Sequence, residues 1–292
     1  MLHEREARVG ESGSPEVGRR QLAMDLRRLR ASTGRTIDDV ALHLECSSAK
    51  VSRMETGAVR VGLQDLRAVL ELYGVEGAER DALFALARQS RVRGWWHDFA
   101  DVVPPGSEVF YGLEDGAATI GQHSTSLVPG LLQTADYARA LIGSVAGAPD
   151  AVVQRRVELR MRRQQLLARP HPPALTVVLD EAVLRREIGG ATVMVEQLEH
   201  LLALARRPAV RLQVLPFAAG VHQAVGVSFT VFGFADPHET PVAFREQLDA
   251  NSFLDRPDQV AVYRDALDGA GRVAADPERS QELLASRLAE LR

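Results

Sequence analysis

The sequence contains a single cysteine, Cys46, among its 292 residues. One thiol forms neither an intrachain disulfide nor a cysteine-rich zinc site, and it fits a reducing compartment. No run approaches the ~18 uncharged apolar residues of a membrane span. The charged start at residues 1–8 lacks the apolar core of a secretory signal. We therefore expect a cytoplasmic protein with no membrane partner.

Motifs for catalysis are also lacking. The eight histidines show no HxxxH or HExxH spacing, so a helix-borne metal site is unsupported. The sequence has no GxSxG, no P-loop and no GxGxxG. We predict no catalytic residue, no metal and no cofactor, and we expect that the protein is not an enzyme.

The composition is that of a globular protein, with 46% hydrophobic and 25% charged residues. The length suggests two domains or one large one. The net charge of −4 is unevenly distributed: residues 19–60 carry a local net charge of +4, whereas residues 94–292 carry −6. A basic segment at one end of an acidic chain indicates a polyanionic partner.

Breaks in the pattern divide the chain into four parts. Residues 1–18 mix glycine, serine and proline with charges and predict a disordered tail. Residues 19–93 form the first domain, and residues 94–106, which contain Pro104-Pro105-Gly106, form a linker. Residues 107–292 form the second domain.

Apolar spacing in the first domain predicts five helices, at 19–32, 37–44, 48–55, 63–73 and 79–89. Thr36 and Asp39 have the spacing of a capping box at the start of the second helix. Ser47 is a candidate N-cap for the third helix, and Gly57 is placed to close that helix in a left-handed conformation.

The second and third helices have the plan of a helix-turn-helix pair. Ala41 is small enough for a close helix crossing, and Val51 is apolar and fills the space between the helices. Candidate base-reading residues lie in the first turn of the third helix: Ser47, Ser48 and Lys50. Candidate phosphate contacts are Arg27, Arg30, Thr36, Ser52, Arg53 and Arg60. The alternative is a five-helix bundle whose polar face is merely solvated.

Three strings in this domain, 26–30 (LRRLR), 40–44 (VALHL) and 51–57 (VSRMETG), resemble the XRE/Cro-like repressor family. The resemblance covers about residues 20–75 and implies DNA binding. It also implies that Glu55 is structural and ties helix ends together. Glu45 stands where the family has a turn glycine, which predicts mild backbone strain at that position.

The second domain combines helices with four predicted strands, at 175–179, 210–215, 227–232 and 242–245. These strands do not alternate strictly with helices, which favours an α+β arrangement with a small sheet. We therefore predict a mainly α protein with a smaller α+β portion, in which a five-helix Cro-like domain precedes the α+β domain.

Four strings of the second domain resemble a further known module: 128–134 (VPGLLQT), 163–167 (RQQLL), 179–184 (LDEAVL) and 214–220 (VLPFAAG). They are similar to the domain that follows XRE-type helix-turn-helix segments in WhiJ-like actinobacterial regulators. The resemblance covers about residues 95–288. It implies a transcriptional regulator that is often paired with a small neighbouring protein, in a developmental or toxin–antitoxin-like module.

Two polar features of the second domain have open interpretations. Asp180, Glu181, His222 and Glu246 are candidates for a ligand or partner pocket, because strand ends that open into loops often line pockets. The carboxylates Asp180 and Glu181 also suit the N-terminus of the following helix. The arginine-rich helix at 155–163 is placed to contact phosphates, to pair with acids of its own domain, or to bind an acidic partner.

The predicted function is that of a transcriptional regulator that binds a double-stranded DNA operator as a homodimer. Its second domain would sense a ligand or bind a small regulatory protein. A second hypothesis is an antitoxin whose main task is to bind a partner protein, with autoregulatory DNA binding. A third is an enzyme in the second domain, supported only by the residues around Asp180 and His222.

Overall fold

The computed structural model describes residues 14–104, 106–144, 147, 149–236, 239–247 and 251–292. The chain divides after His97 into two compact units, and we call the segment that ends there unit 1 and the segment from Asp98 to Arg292 unit 2. The architecture is mostly helical, with a helical unit 1 and one mixed sheet in unit 2, which confirms the predicted fold class.

Unit 1 contains the five predicted helices. They are α1 (Pro15–Ser32), α2 (Ile37–His43), α3 (Ser48–Glu55), α4 (Leu63–Leu72) and α5 (Gly77–Gln89), followed by a 3-10 helix at Trp95–Phe99.

The first helix is longer than the sequence predicts. It begins at Pro15, because proline suits the first helical position and the Ser14 side chain accepts a hydrogen bond from the Glu16 amide. Residues 15–18 are therefore helical and not part of the predicted tail at 1–18. Residues 1–13 of that tail lie outside the described residues.

One apolar core joins the five helices of unit 1. Leu26 of α1, Val51 of α3 and Leu66 of α4 are each 1% exposed or less. Ala41 of α2 is buried in the same core, and α2 packs against α3. Burial of each large apolar side chain contributes roughly 1.5–3 kcal/mol, so this core fixes the relative orientation of α2 and α3.

Unit 2 has seven helices and six strands among its described residues. The helices are α6 (Ser107–Gly116), α7 (Ala135–Gly143), α8 (Asp150–Gln164), α9 (Glu181–Arg185), α10 (Ala191–Leu204), α11 (Pro257–Val273) and α12 (Pro277–Leu291). The strands are β1 (Thr119–Ser124), β2 (Ala174–Asp180), β3 (Val210–Leu215), β4 (Phe229–Gly233), β5 (Val242–Glu246) and β6 (Asn251–Leu254). Short 3-10 helices lie at Gly130–Leu132, Gln165–Ala168 and Phe217–Ala219.

The six strands form one mixed sheet in the order β3-β2-β1-β4-β5-β6. The β1–β2 and β2–β3 pairs are parallel, and the other pairs are antiparallel. Successive side chains of a strand point to opposite faces. In β2, Val177 packs in a core with Leu198 of α10 and Leu284 of α12, whereas Val178 packs with Val260 of α11. Both faces of the sheet are therefore covered by helices.

Two of the six strands, β1 and β6, are missing from the four-strand prediction. The β1 sequence is TIGQHS, which lacks the apolar run of a buried strand. Its polar side chains make tertiary contacts: Gln122 donates to the Thr230 hydroxyl at 3.2 Å, and His123 bonds the Val227 carbonyl at 2.7 Å. The Gln122 Oε1 and His123 Nε2 atoms are buried without a hydrogen-bond partner among the described residues. Strand β6 is a four-residue edge strand, too short for a clear pattern.

The backbone at Glu45 generates a stability prediction. Glu45 has a φ of 49°, and it is the only non-glycine residue with positive φ among the described parts of the chain. A left-handed conformation costs an L-residue roughly 1–2 kcal/mol, which a glycine at this position would avoid. The greater entropy of glycine in the unfolded state offsets part of the resulting stabilisation. We expect Glu45→Gly to stabilise the α2–α3 pair by about 1 kcal/mol, measured in the full chain by native-state hydrogen exchange.

Glu45→Ala is the matched control for that experiment, because it removes the same charge but keeps the strained conformation. It should leave the exchange of α2 and α3 unchanged or faster. Equal stabilisation by both substitutions would refute the strain explanation.

Candidate nucleic-acid interface

The connection between α2 and α3 is short and capped at both helix starts. The Thr36 side chain accepts from the Asp39 amide, and the Asp39 carboxylate accepts from the Thr36 amide at 2.8 Å. These hydrogen bonds to Thr36 lower the pKa of Asp39. The Ser47 side chain accepts from the Lys50 amide at 3.3 Å, and Gly57 closes the segment after α3 with a φ of 69°. The predicted capping box, N-cap and left-handed glycine are confirmed.

The two sides of α3 differ sharply in chemistry. Val51 and Met54 are buried against the other helices of unit 1, whereas Ser48, Ala49 and Arg53 are exposed. The exposed face carries only short polar or small side chains beside one long cation. A helix with such a face fits the major groove of B-DNA, which is ~12 Å wide.

The three candidate base-reading residues have partners within unit 1. Ser47 is engaged as the N-cap, and the Ser48 hydroxyl donates to a carboxylate oxygen of Asp38 at 2.5 Å. The Lys50 ammonium lies 2.9 Å from the Asp65 carboxylate, and this hydrogen bond raises the pKa of Lys50. The sequence pattern does not reveal Asp38 and Asp65 as partners, because only the packing of α2 and α4 brings them to α3.

Three of the candidate phosphate-binding arginines are free for an external partner. Arg27, Arg53 and Arg60 are exposed, and their side chains form no ion pair or hydrogen bond with the described residues. Thr36 is exposed but its hydroxyl donates to Asp39 at 2.8 Å, and Ser52 is half-buried. The geometry therefore leaves the arginines, more than the hydroxyls, available to phosphate oxygens.

Arg30 has a different role from the phosphate contact that the sequence predicts. Its Nε and Nη2 atoms donate to both carboxylate oxygens of Glu55, at 2.8 and 3.0 Å, and its Nη1 atom donates to the Arg35 carbonyl at 3.0 Å. The hydrogen bond to Glu55 raises the pKa of Arg30. This placement argues against the phosphate role, and it agrees with the structural role that the family resemblance implies for Glu55.

Two of the candidate pocket residues of unit 2, Asp180 and Glu181, form hydrogen bonds within the unit. Asp180 is the N-cap of α9 and accepts from the Ala182 amide at 2.8 Å, which confirms the capping interpretation for this residue. Glu181 accepts from the Phe217 amide at 3.0 Å and from the Arg185 side chain at 2.7 Å. These hydrogen bonds lower the pKa of Glu181 against the opposing effect of burial, which is the largest single cause.

The His222 ring contacts that of His123, which is not among the candidate pocket residues. Its ring centroid lies 5.5 Å from that of His123, which is 1% exposed. The Nδ1 atom of His123 lies 2.7 Å from the Val227 carbonyl and therefore carries the proton, and burial lowers the pKa of His123. No signal in the sequence marks His123, because the β1 segment TIGQHS lacks the apolar pattern of a buried strand.

Glu246 does not join this group. It follows Val242 and Phe244 in the alternation of β5, and those two residues pack on the α10–α12 face of the sheet. His123 stacks on Phe229, which packs on the opposite face with α11. The predicted four-residue pocket is therefore wrong in including Glu246, because the pleat of the sheet puts it on the other side.

Comparisons with known proteins give two matches along the chain. Residues 21–83 match the family model of a helix-turn-helix domain. Residues 108–286 match the model of the domain of unknown function (DUF5753). No curated protein and no solved structure matches the chain. Within the described residues, no helix has the length and apolar character needed to cross a membrane, and no group of three or more metal-ligating side chains occurs.

The Arg30–Glu55 pair predicts a large effect on unit 1. Its side chains are 17% and 6% exposed, so Arg30→Ala leaves a buried carboxylate without its partner. Loss of one partner of such a pair costs about 3 kcal/mol. We expect a destabilised unit 1 in urea titrations of the full chain followed by circular dichroism. Arg27→Ala on the same helix is the control, with an expected change within about 0.5 kcal/mol; equal effects would contradict the structural role of Arg30.

Proposed function

The chain belongs to the family of the domain of unknown function (DUF5753), whose model covers more than half of it, and on this premise we propose a sequence-specific transcriptional regulator. The helix-turn-helix match supports a DNA-binding regulator. The observation that carries the proposal is the exposed polar face of α3, held at a fixed angle to α2 by caps and core packing.

The proposed docking places the N-terminal turn of α3 in the major groove. Ser47, Ser48 and Lys50 would then reach base edges, because that turn contacts the bases in helix-turn-helix complexes. Arg53 and Arg60 would contact phosphates on either side, which position the protein without reading sequence. Arg27 would extend these contacts along the backbone.

In this docking, Ser48 and Lys50 would exchange their acidic partners for groups of the DNA. In the free protein, Asp38 and Asp65 hold the two side chains by hydrogen bonds. DNA would replace these carboxylates with base edges or phosphates. The phosphate backbone repels the carboxylates of Asp38 and Asp65, so Ser48 and Lys50 would lose their present hydrogen bonds on binding. Duplexes whose base edges replace those hydrogen bonds would therefore bind more tightly.

Further parts of the proposal concern assembly and unit 2. A homodimer fits the two-fold symmetry of most helix-turn-helix operators, and a cytoplasmic location fits a DNA-binding role. Unit 2 would sense a ligand or a small protein and would not be an enzyme. The proposal includes the WhiJ-like actinobacterial group as the setting of such regulators.

A second candidate function is that of an antitoxin-type protein that neutralises a small partner. The observation that favours it is an apolar surface on the loop after β3. Phe217, Val221 and Val225 are 58%, 93% and 53% exposed, and exposed apolar groups of this size often mark protein-binding surfaces. A partner complex far tighter than the DNA complex would favour this function over the first.

The test of the proposed function is fluorescence anisotropy with the duplex upstream of the gene and a scrambled duplex, each at two salt concentrations. We expect a preference of about 10³-fold or more for the native duplex, which is within the range of specific binding. Equal, weak and salt-sensitive binding to both would indicate phosphate contacts alone and would reject the regulator in favour of the partner-binding function.

Arg53 generates the sharpest mutational prediction for the docking. Arg53→Gln removes one phosphate contact, so the slope of log affinity against log salt should fall by about 1, with weaker binding to every duplex. Arg88→Gln on α5 is the matched control, since Arg88 is exposed but lies outside the helix pair. An unchanged slope in Arg53→Gln, or an equal change in both variants, would contradict the docking.

A further inference from the structure

Arg160 of α8 forms no ion pair with an acidic side chain among the described residues. Its Nη1 atom donates to the Gln133 side chain at 2.7 Å, and this neutral amide is its only side-chain partner among the described residues. Arg155 and Arg163 on the same helix both pair with acids of unit 2, Glu158 and Glu114 respectively. Arg160 therefore differs from these two arginines, because it forms no ion pair with the described residues.

The second arginine of the group brings a positive charge close to Arg160. Arg163 donates to both carboxylate oxygens of Glu114, at 2.8 and 2.7 Å, and both side chains are buried. A Cβ atom at Gly130 would lie 3.1 Å from Nη1 of Arg160 and 3.2 Å from Nη1 of Arg163, so the two guanidinium groups converge above this glycine. Glu114 forms its ion pair with Arg163 and attracts Arg160 without forming an ion pair with it.

The surroundings make this charge costly. Burial, with the repulsion from Arg163 second, lowers the pKa of Arg160 to about 10. Glu246 attracts the group electrostatically but lies beyond ion-pair distance and is itself exposed. Buried charges in proteins are normally paired, because desolvation is otherwise uncompensated. Arg160 is therefore a largely desolvated guanidinium that still has access to solvent and forms no ion pair with the described residues.

The guanidinium of Arg160 is also held in position. Gln133, which accepts from Arg160, donates to the Val128 carbonyl at 2.7 Å. Gln164 donates to the carbonyls of Gly130 and Gln133, at 3.0 and 2.7 Å. The loop beneath Arg160 is therefore fixed from both sides. Preorganisation of this kind reduces the entropy lost when a ligand binds.

We propose that Arg160 binds the oxyanion group, a carboxylate or a phosphate, of a small molecule. Arg160 is partly exposed, and its Nε and Nη2 donors make no hydrogen bond with the described residues. The planar fork of arginine matches the two oxygens of such a group. The Arg163 guanidinium lies 5.3 Å from the centre of the Tyr111 ring.

This inference deepens the sensing role proposed for unit 2 and rests on it for its biological meaning. Its test measures binding without DNA, so that its failure leaves the DNA-binding proposal untouched. The probes are inorganic phosphate and acetate, titrated separately into the full chain and followed by isothermal calorimetry. All proteins carry Arg53→Gln, so that phosphate binding at the proposed DNA-contacting surface does not mask the signal.

We expect saturable binding of at least one of the two ions, weakened about tenfold or more by Arg160→Gln, since a hydrogen-bonded charge pair is lost. Arg162→Gln on the same helix removes an equal charge and should leave the affinity unchanged. Arg160→Lys keeps the charge but not the fork, and should bind more weakly than arginine and more tightly than glutamine. Binding of phosphate alone would identify a phosphate-bearing ligand, and binding of acetate alone would identify a carboxylate.

Two results would overturn the proposal. One is the absence of saturable binding of both ions to the protein with an intact Arg160. The other is binding of the ion to Arg160→Gln with the same affinity as to the protein with an intact Arg160. Circular dichroism of each variant checks that the fold is retained, and Arg160→Lys provides the comparison if the glutamine variant does not fold.

Discussion

The ion pair between Arg30 and Glu55 joins three parts of unit 1 through one guanidinium. Arg30 lies near the end of α1, bonds the carbonyl of Arg35 ahead of α2, and holds the last residue of α3 through both carboxylate oxygens. The Glu55 side chain is 6% exposed and that of Arg30 is 17% exposed, and the two parallel hydrogen bonds constrain the geometry of the pair. The direction in which α3 presents its exposed face, and with it the proposed reading of DNA, depends on this contact.

Unit 2 also contains a buried arginine–glutamate ion pair, and it lies near a loop instead of between two helices of a DNA-binding pair. The buried ion pair of Arg163 with Glu114 joins α8 to α6. The loop at 128–134 is held by side chains from three helices: the Tyr137 hydroxyl accepts from the Val128 amide, Gln164 donates to Gly130, and Gln197 donates to Leu132. Side chains of α7, α8 and α10 thus satisfy polar backbone groups of this loop, and the Arg160 guanidinium lies close to the loop at Gly130.

Local features were predictable from the sequence, and features made by distant contacts were not. The cap at Ser47, the capping box and the strained backbone at Glu45 depend on neighbours within a few residues. The engagement of Arg30 with Glu55 and the burial of His123 depend on residues far along the chain. Strand β1 escaped detection because its polar side chains are buried by such contacts and not by an apolar pattern. The predicted pocket was wrong in including Glu246 for a related reason, because the alternation of side chains along β5 determines on which face of the sheet Glu246 lies.

Hydrogen–deuterium exchange of the full chain, with and without the upstream duplex, tests the central claim most directly. The claim is that α2 and α3 form the surface that binds DNA. It predicts slower exchange on DNA binding in residues 36–60, centred on the first turn of α3, with residues 77–89 of α5 unchanged. Protection confined to α5 or to unit 2, with residues 36–60 unaffected, would contradict it.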